Sequence, residues 1–222
     1  MAEQMTMDEI RNRVEGVIGK LKENHMLGYF VEKKEDVPAM VASLLQEGDT
    51  VAVGGSESLK QCGVLEMLRS GKYNFLDRYR EDLDEEGKRK IFVDSFGADA
   101  YLCSSNAVTE KGVLYNVDGN SNRAAAILYG PKSVIMVVGY QKIVKDLDEA
   151  VGRVRTVTAP LNCRRLGCHT YCSETGKCIE LGSEMSSGCR TDDRICSNFV
   201  ISCKQRQKNR IKVIFVGEEV GY

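Results

Sequence analysis

The densest chemistry in the sequence lies in CHTYCSETGKCIELGSEMSSGCRTDDRIC, residues 168–196. The stretch carries Cys168, Cys172, Cys178, Cys189 and Cys196, five of the nine cysteines in the chain. Thiolates are soft, anionic donors that suit zinc and iron–sulfur clusters. The best four-ligand choice is Cys172, Cys178, Cys189 and Cys196, separated by five, ten and six residues. Zinc sites usually pair cysteines about two to four residues apart, and the ferredoxin spacings are absent too. Three readings therefore stand side by side: a thiolate centre for zinc or an iron–sulfur cluster, a structural disulfide, or reduced thiols in a polar loop. Cys163, Cys168, Cys203 and His169 flank the set as substitute ligands. Cys62 and Cys103 fall on a predicted helix and strand and read as small buried hydrophobes.

A second kind of chemistry is anion binding. VAVGGSESL (residues 51–59) reads as a strand, a glycine turn and a helix start. Glycines let a ligand approach the backbone, and unpaired amides at a helix start attract phosphate or carboxylate. Gly54, Gly55, Ser56 and Ser58 are the candidate anion ligands. Neither a Walker A loop nor the dinucleotide fingerprint is present, since the Gly-Lys-Ser/Thr and the third glycine are missing. Capping alone also accounts for the Gly and Ser residues. A polar group follows: Asp99, Asn106, Glu110, Asn116, Asp118, Asn120 and Arg123. Asn116, Asp118 and Asn120 alternate, so an extended backbone would put them on one face. Arg123 is a candidate carboxylate or phosphate clamp. Turn chemistry and a surface arginine are the plainer alternatives.

Elements of the right kind exist to position these groups. Thr6 and Glu9 form a capping box before a helix with Ile10, Val14, Val17, Ile18 and Leu21 on one face. GYFVEK reads as a strand, and Asp36-Val37-Pro38 opens a second helix. Thr50–Val53 is a buried-type strand, and the helix after Ser56 should run to about Arg69. Lys72–Leu76 is a weak strand, Leu83–Phe96 a helix and Ala98–Cys103 a strand. AVTEKGVLYNVDG gives two short strands around Lys111-Gly112. A helix follows near Asn122, then the strand SVIMVVG and a helix over Asp146–Val157. Alternating strands and helices predict an α/β fold with a parallel-rich central sheet and helices on both faces. After Pro160 periodicity fades until FVISC and IKVIFVGEE, two more strands. The expected organisation is an α/β core over 1–160, a Cys-rich excursion over 161–197, and C-terminal strands over 198–222 that complete the core.

Composition bounds the function. Net charge is −1, with 42% hydrophobic and 28% charged residues, so no general attraction to nucleic acid or anionic membrane is expected. No apolar run approaches the roughly 18 residues of a membrane span, and the N-terminus lacks the apolar core of a signal peptide. The expected compartment is the cytoplasm, where thiols stay reduced.

The stretch FGADAYLCSSNAVTEKGVLYNVDGNSNRAAAILYGPKSVIMVVGYQKIVKDLDEA (residues 96–150) resembles the core of the LUD domain, named for lactate-utilization proteins. VAVGGSESL matches that family's glycine–serine loop. CSETGKC, CRTDDRIC and RIKVIFVGEEVGY resemble a cysteine-bearing section of single-domain members. The most specific parts are Lys142–Val144 and the TGKC and DRIC motifs. The resemblance implies the fold of ribose-phosphate isomerases, glucosamine-phosphate deaminases and CoA transferases. It implies that Asp99, in Gly97-Ala98-Asp99, serves as general acid/base or hydroxyl anchor. Glu110 is the nearest counterpart of the glutamate of CoA transferases. Asn106, Asn116, Asn120 and Arg123 match in type the polar loops around the sugar in sugar-phosphate isomerases. No lysine-triglycine loop is present.

The expected function is binding of a small anionic metabolite, a sugar phosphate, hydroxy acid or acyl-CoA, in lactate or organic-acid utilization. Isomerase- or transferase-type chemistry would follow. The alternative is a non-catalytic accessory subunit that meets iron–sulfur partner subunits in a redox complex for lactate oxidation. Homo-oligomer formation is left open.

Overall fold

The computed structural model describes residues 5–222. Helix α1 (Met7–Glu23) opens on the expected capping box: the Glu9 amide donates to Thr6 Oγ1 and the Thr6 amide to Glu9 Oε2. Its buried face is Ile10, Val14, Val17 and Leu21, at the three- and four-residue spacing of a helix. There follow β1 (Leu27–Val31), α2 (Val37–Ser43), β2 (Thr50–Val53), α3 (Glu57–Gln61), α4 (Val64–Leu68), β3 (Asn74–Leu76), α5 (Glu85–Asp94), β4 (Ala100–Cys103), β5 (Ala107–Thr109), β6 (Leu114–Asp118), α6 (Asn122–Leu128), β7 (Ser133–Gly139), β8 (Ile143–Val144), α7 (Leu147–Arg153), α8 (Ala159–Leu166), α9 (Tyr171–Thr175), β9 (Asn198–Ser202) and β10 (Ile211–Val216). The single helix expected after Ser56 is two: Gly63 adopts a left-handed φ of 70° and turns the chain between α3 and α4.

Six strands form an all-parallel central sheet in the order β1-β10-β7-β4-β2-β3. Such a sheet must be apolar on both faces, and β7 is: Val134, Met136 and Val138 join α1 and α6 in one core cluster, while Ile135 and Val137 join α2, α3 and α4 in another. Each of these side chains is fully buried, which stabilises by roughly 1.5–3 kcal/mol apiece for Val or Ile. Chain order reverses beside β2, whose successors β3 and β4 pair on its two sides. That makes the β2–β4 boundary the topological switch point, where an open parallel sheet leaves a crevice at its carboxyl edge.

A second sheet, β8-β5-β6-β9, stands at that edge. β9 pairs antiparallel with β6 in the small sheet, whereas β10 enters the central sheet between β1 and β7, so the two C-terminal strands part company. The cysteine-bearing stretch leaves from α8 and returns at β9, which fastens it alongside β6. Among the described residues, no helix is long and apolar enough to cross a membrane.

Candidate functional site

A polar cleft of about 550 Å³ opens at the carboxyl edge of the central sheet. The turn after β2 brings Ser56 and Ser58, the loop after β4 brings Ser104, and the turn after β7 brings Lys142. Segment 192–197 forms the facing wall. The cleft thus lies where the reversal of strand order requires one.

Lys142 is its least expected member. A 3-10 turn, Tyr140–Lys142, links β7 of the large sheet to β8 of the small one, and the side chain is carried inward to 2% exposure. Nζ donates to Ser58 Oγ at 2.8 Å and to Ser104 Oγ at 3.2 Å. Ser58 in turn donates to the Val220 carbonyl at 3.2 Å. Among the described residues no carboxylate pairs with Lys142. Burial therefore pushes its pKa down to about 7, with the nearby cations Arg153 and Arg123 adding to the effect. A lysine so placed is about half neutral amine at pH 7, able to accept a proton or attack an electrophile. Gly221, at φ 62°, presses on the pair: a Cβ there would overlap Ser58 Oγ and lie 3.0 Å from Lys142 Nζ.

The sequence candidates separate into those at the cleft and those elsewhere. Gly55, Ser56, Ser58, Asn106, Asn120 and Arg123 line it. Gly54 lies just behind, where a Cβ would come within 3.3 Å of Arg123 and of Cys103. Ser56 also caps α3, its Oγ accepting from the Leu59 amide. Arg123 is not a free clamp. Nη1 donates to the Ser104 carbonyl and Asn116 Oδ1, Nη2 to Asn106 Oδ1 and the Val117 carbonyl, and Nε lies 3.5 Å from Asp118. It braces the loops after β4 and β6 against each other. Asn116 is fully buried and its Oδ1 is spent on Arg123, while its Nδ2 has no partner among the described residues. Asp118 accepts from the Ser121 and Ala124 amides and so holds the start of α6. Asn120 precedes Ser121, a non-glycine residue at φ 63° on the cleft rim.

Asp99 and Glu110 are not in the cleft. Asp99 precedes β4, at the amino edge of the sheet, where its carboxylate accepts from the Thr50 amide at 2.9 Å and Lys132 Nζ at 2.7 Å. The Lys132 ammonium, then the Thr50 amide, hold its pKa below the usual carboxylate range. Glu110, in the turn between β5 and β6, pairs with Arg13 on α1 at 3.0 Å. Their geometry is that of structural ties.

Lys142, Ser104 and Arg78 were not singled out for chemistry on sequence grounds. The available signal was Lys142 itself, one cation set between the apolar runs SVIMVVG and IV. Arg78 stacks on Phe92, 4.6 Å from the ring centroid, and approaches Gly55. Among the described residues it has no carboxylate or hydrogen-bond partner. Arg165, by contrast, is held by Asn162, Tyr222 and Glu57.

The four cysteines chosen as ligands line one small apolar pocket beside the cleft. Among the described residues, no group of three or more Cys, His, Asp or Glu side chains is gathered to hold a metal ion. All nine thiols are free; Cys163 and Cys172 approach to 3.8 Å. His169 is tied through its backbone amide to Asp193.

The family model of the LUD domain matches residues 14–216. Among solved structures, a DUF162-family protein from Deinococcus radiodurans aligns over 96% of this chain and 99% of its own, with 16% identity and a TM-score of 0.50. That is a likeness of fold. A further solved structure, eIF2B beta from Chaetomium thermophilum, aligns over 63% of this chain and 49% of its own, with 12% identity and a TM-score of 0.37. No curated protein matches the chain.

Proposed function

The chain belongs to the LUD family, and we propose that its cleft binds a small anionic metabolite bearing a carbonyl or hydroxyl carbon and moves a proton on it through Lys142. A sugar phosphate, a hydroxy or keto acid, or an acyl thioester has the required chemistry. The single observation that carries this reading is a lysine at the base of a polar cleft, buried without a carboxylate and hydrogen-bonded to two serines. A structural lysine has no need of such a position, because burying an unpaired ammonium costs free energy.

Arg78 is the group available for the anion, since Arg123 and Arg165 are committed to protein partners. Neutral Lys142 Nζ would take a proton from the carbon beside the ligand carbonyl, the electron pair moving onto the carbonyl oxygen. The Ser58 or Ser104 hydroxyl would donate to that oxygen, the proton of the adjacent hydroxyl would pass to it, and the ammonium would return its proton to the former carbonyl carbon, leaving the new carbonyl on the neighbouring carbon. This is isomerase-type chemistry and needs no other reactant. Asn120 would orient the ligand from the rim.

The test screens sugar phosphates and hydroxy and keto acids for binding by thermal shift, then follows C–H exchange of each binder in D2O by NMR. Lys142→Met should abolish exchange and keep binding, while Arg78→Ala should weaken binding at least tenfold. Exchange that survives Lys142→Met would refute the assignment.

A second reading, an accessory subunit for an iron–sulfur redox complex, is favoured by one observation. Arg194 and Cys196 line both the cleft and the cysteine pocket, so the thiol-rich stretch is part of the cleft wall. Co-purification of an iron–sulfur partner, with no exchange activity toward any binder, would favour it.

A further inference from the structure

Two serines stand beside Lys142, and they differ in what can reach them. Ser58 is 1% exposed; its Oγ accepts from Lys142 Nζ at 2.8 Å, and its own proton goes to the Val220 carbonyl at 3.2 Å. Ser104 is only half-buried, and its Oγ lies 3.2 Å from the same Nζ and 3.4 Å from Ser58 Oγ. The three polar atoms form a triangle in which Ser104 is the corner most open to the cleft. A neutral amine has two protons and one lone pair. With one N–H spent on Ser58, the lone pair is available to the Ser104 hydroxyl. At rest that hydroxyl turns toward the Ser105 carbonyl at 3.3 Å, a long bond that is readily given up. Ser104 directly follows β4 at the switch point of the sheet, and Arg123 Nη1 holds its carbonyl at 3.0 Å, so its backbone is fixed. Among the described residues no histidine and no carboxylate bonds either hydroxyl, which leaves the amine as their base. Burial, then Arg153 and Arg123, disfavour the ammonium there.

We infer that Ser104 is a nucleophile with Lys142 as its general base, and that the pair transfers the acyl group of an anionic acyl thioester to water through a Ser104 ester. The inference rests on the reading of Lys142 as a base in the cleft, and of the ligand classes named there it selects the acyl thioester. Serine–lysine pairs are one of the arrangements that activate a hydroxyl. Ser104 Oγ attacks the acyl carbon, and its proton passes to Lys142 Nζ. The carbon–sulfur bond then breaks, and the ammonium gives that proton to the departing sulfur. A thiol suits this base, since its ordinary pKa of about 8.5 lies close to that of the amine. In a second round water attacks the ester, its proton going to Nζ and from there to the Ser104 oxygen as the carbon–oxygen bond breaks. The balance is thioester plus water to carboxylic acid plus thiol, with no other reactant. Ser58 is a positioning residue: its bond to the Val220 carbonyl orients the lone pairs that accept from Nζ. Arg78 is available for the anionic part of the ligand. Asn106 offers a donor for the acyl oxygen: it lines the cleft, its Oδ1 is taken by the Val117 amide and Arg123, and its Nδ2 has no acceptor among the described residues.

The experiment treats the full chain with a fluorophosphonate, which phosphonylates activated serines with loss of fluoride. The adduct is counted by intact mass and placed by peptide mass spectrometry, and its rate is measured from pH 6 to 9. Expected is one adduct per chain, on Ser104, formed at a rate that rises with pH through about 7 and then levels. Ser104→Ala should abolish it. Lys142→Met should slow it at least a hundredfold and remove the pH dependence, both variants keeping the far-UV circular dichroism of the parent. Ser58→Ala should move the midpoint of the rise to lower pH, because the ammonium loses an acceptor; an unmoved midpoint would overturn the positioning role. Acetyl-coenzyme A is the thioester probe: the parent should release acetate, followed by NMR, and Ser104→Ala should not. Should a variant unfold, the site and pH profile of the parent's adduct still decide. No adduct, an adduct at another residue, equal labelling of Lys142→Met, or no acetate from the parent would each overturn the inference. C–H exchange of a binder without a Ser104 adduct would strike this inference alone, and a Ser104 adduct without exchange of any binder would strike the isomerase-type reading alone.

Discussion

Replacing Lys142 by Met should change the pH dependence of stability in a direction that geometry fixes in advance. The folded protein holds Lys142 at about 7 against an ordinary 10.5. Between those values the unfolded chain binds a proton that the folded chain has released. Stability should thus rise with pH across the window, the penalty being fully imposed below 7 and relieved above 10.5. Integrating the two titrations gives about 2 kcal/mol of recovered stability between pH 7 and pH 9, of about 5 kcal/mol in all. Met has similar length and no charge, so the variant lacks this term, and Ser58 keeps its bond to the Val220 carbonyl. The assay is urea unfolding of both proteins at pH 6, 7, 8 and 9, with reductant present to hold the cysteines as thiols. Subtracting the curves cancels the titrations common to both. The unsubstituted protein should gain about 2 kcal/mol on the variant from pH 7 to 9, and the variant should be at least as stable at pH 7. A gap independent of pH would mean that Lys142 is an ordinary solvated ammonium, and its proposed role would fall with it.

Three other substitutions have definite outcomes. Gly221→Ala combines a left-handed φ of 62° with a Cβ 3.0 Å from Lys142 Nζ. It should cost more than about 1 kcal/mol in urea unfolding and lower any exchange activity by displacing the amine from Ser58. Arg123→Leu strips donors from Asn106, Asn116 and two carbonyls and leaves Asp118 buried without its cation. A loss on the order of 3 kcal/mol is expected by the same measurement. Asp99→Asn should leave ligand binding unchanged, because the residue stands at the opposite edge of the sheet. Since its folded pKa is depressed, its tie to Lys132 is present above the unfolded carboxylate range and lost as pH falls, so the two proteins should converge in stability in acid. The tie is largely exposed, so the difference between the two proteins should be small at every pH.

What could be read from the sequence was whatever rests on local pattern. The capping box at Thr6, the apolar run of β7 and the turn at Lys111-Gly112 were legible because short-range hydrogen bonds and burial periodicity decide them. The second sheet was not, because FVISC has the same pattern whichever partner it finds; pairing with β6 depends on where the cysteine stretch delivers it. Asp99, carried by a family motif, lies away from the cleft and is tied to Thr50 and Lys132. It precedes its strand, and in a parallel sheet the residues that follow a strand reach the crevice while those that precede it reach the far edge. Ser56, Ser58, Ser104 and Lys142 all follow strands.

The same rule separates the two kinds of error at the cleft. Arg123 lines the cleft, and its type and neighbourhood are visible in the sequence, but the number of acceptors around it is not. Its four terminal N–H groups go to Ser104, Asn116, Asn106 and Val117, and its Nε lies 3.5 Å from Asp118, before any ligand arrives. Lys142 is the converse. Its segment is characteristic in sequence while its chemistry is hidden, since a lysine beside apolar runs looks like a strand-end surface cation until a second sheet covers it. Only the joining of β7 to β8 across two sheets makes the position internal, and that depends on the pairing of β8 with β5, a contact between residues more than thirty positions apart. A lone cation flanked on both sides by buried-type strands is therefore better read as a buried amine of lowered pKa than as a surface residue whenever the strands on either side cannot belong to one sheet.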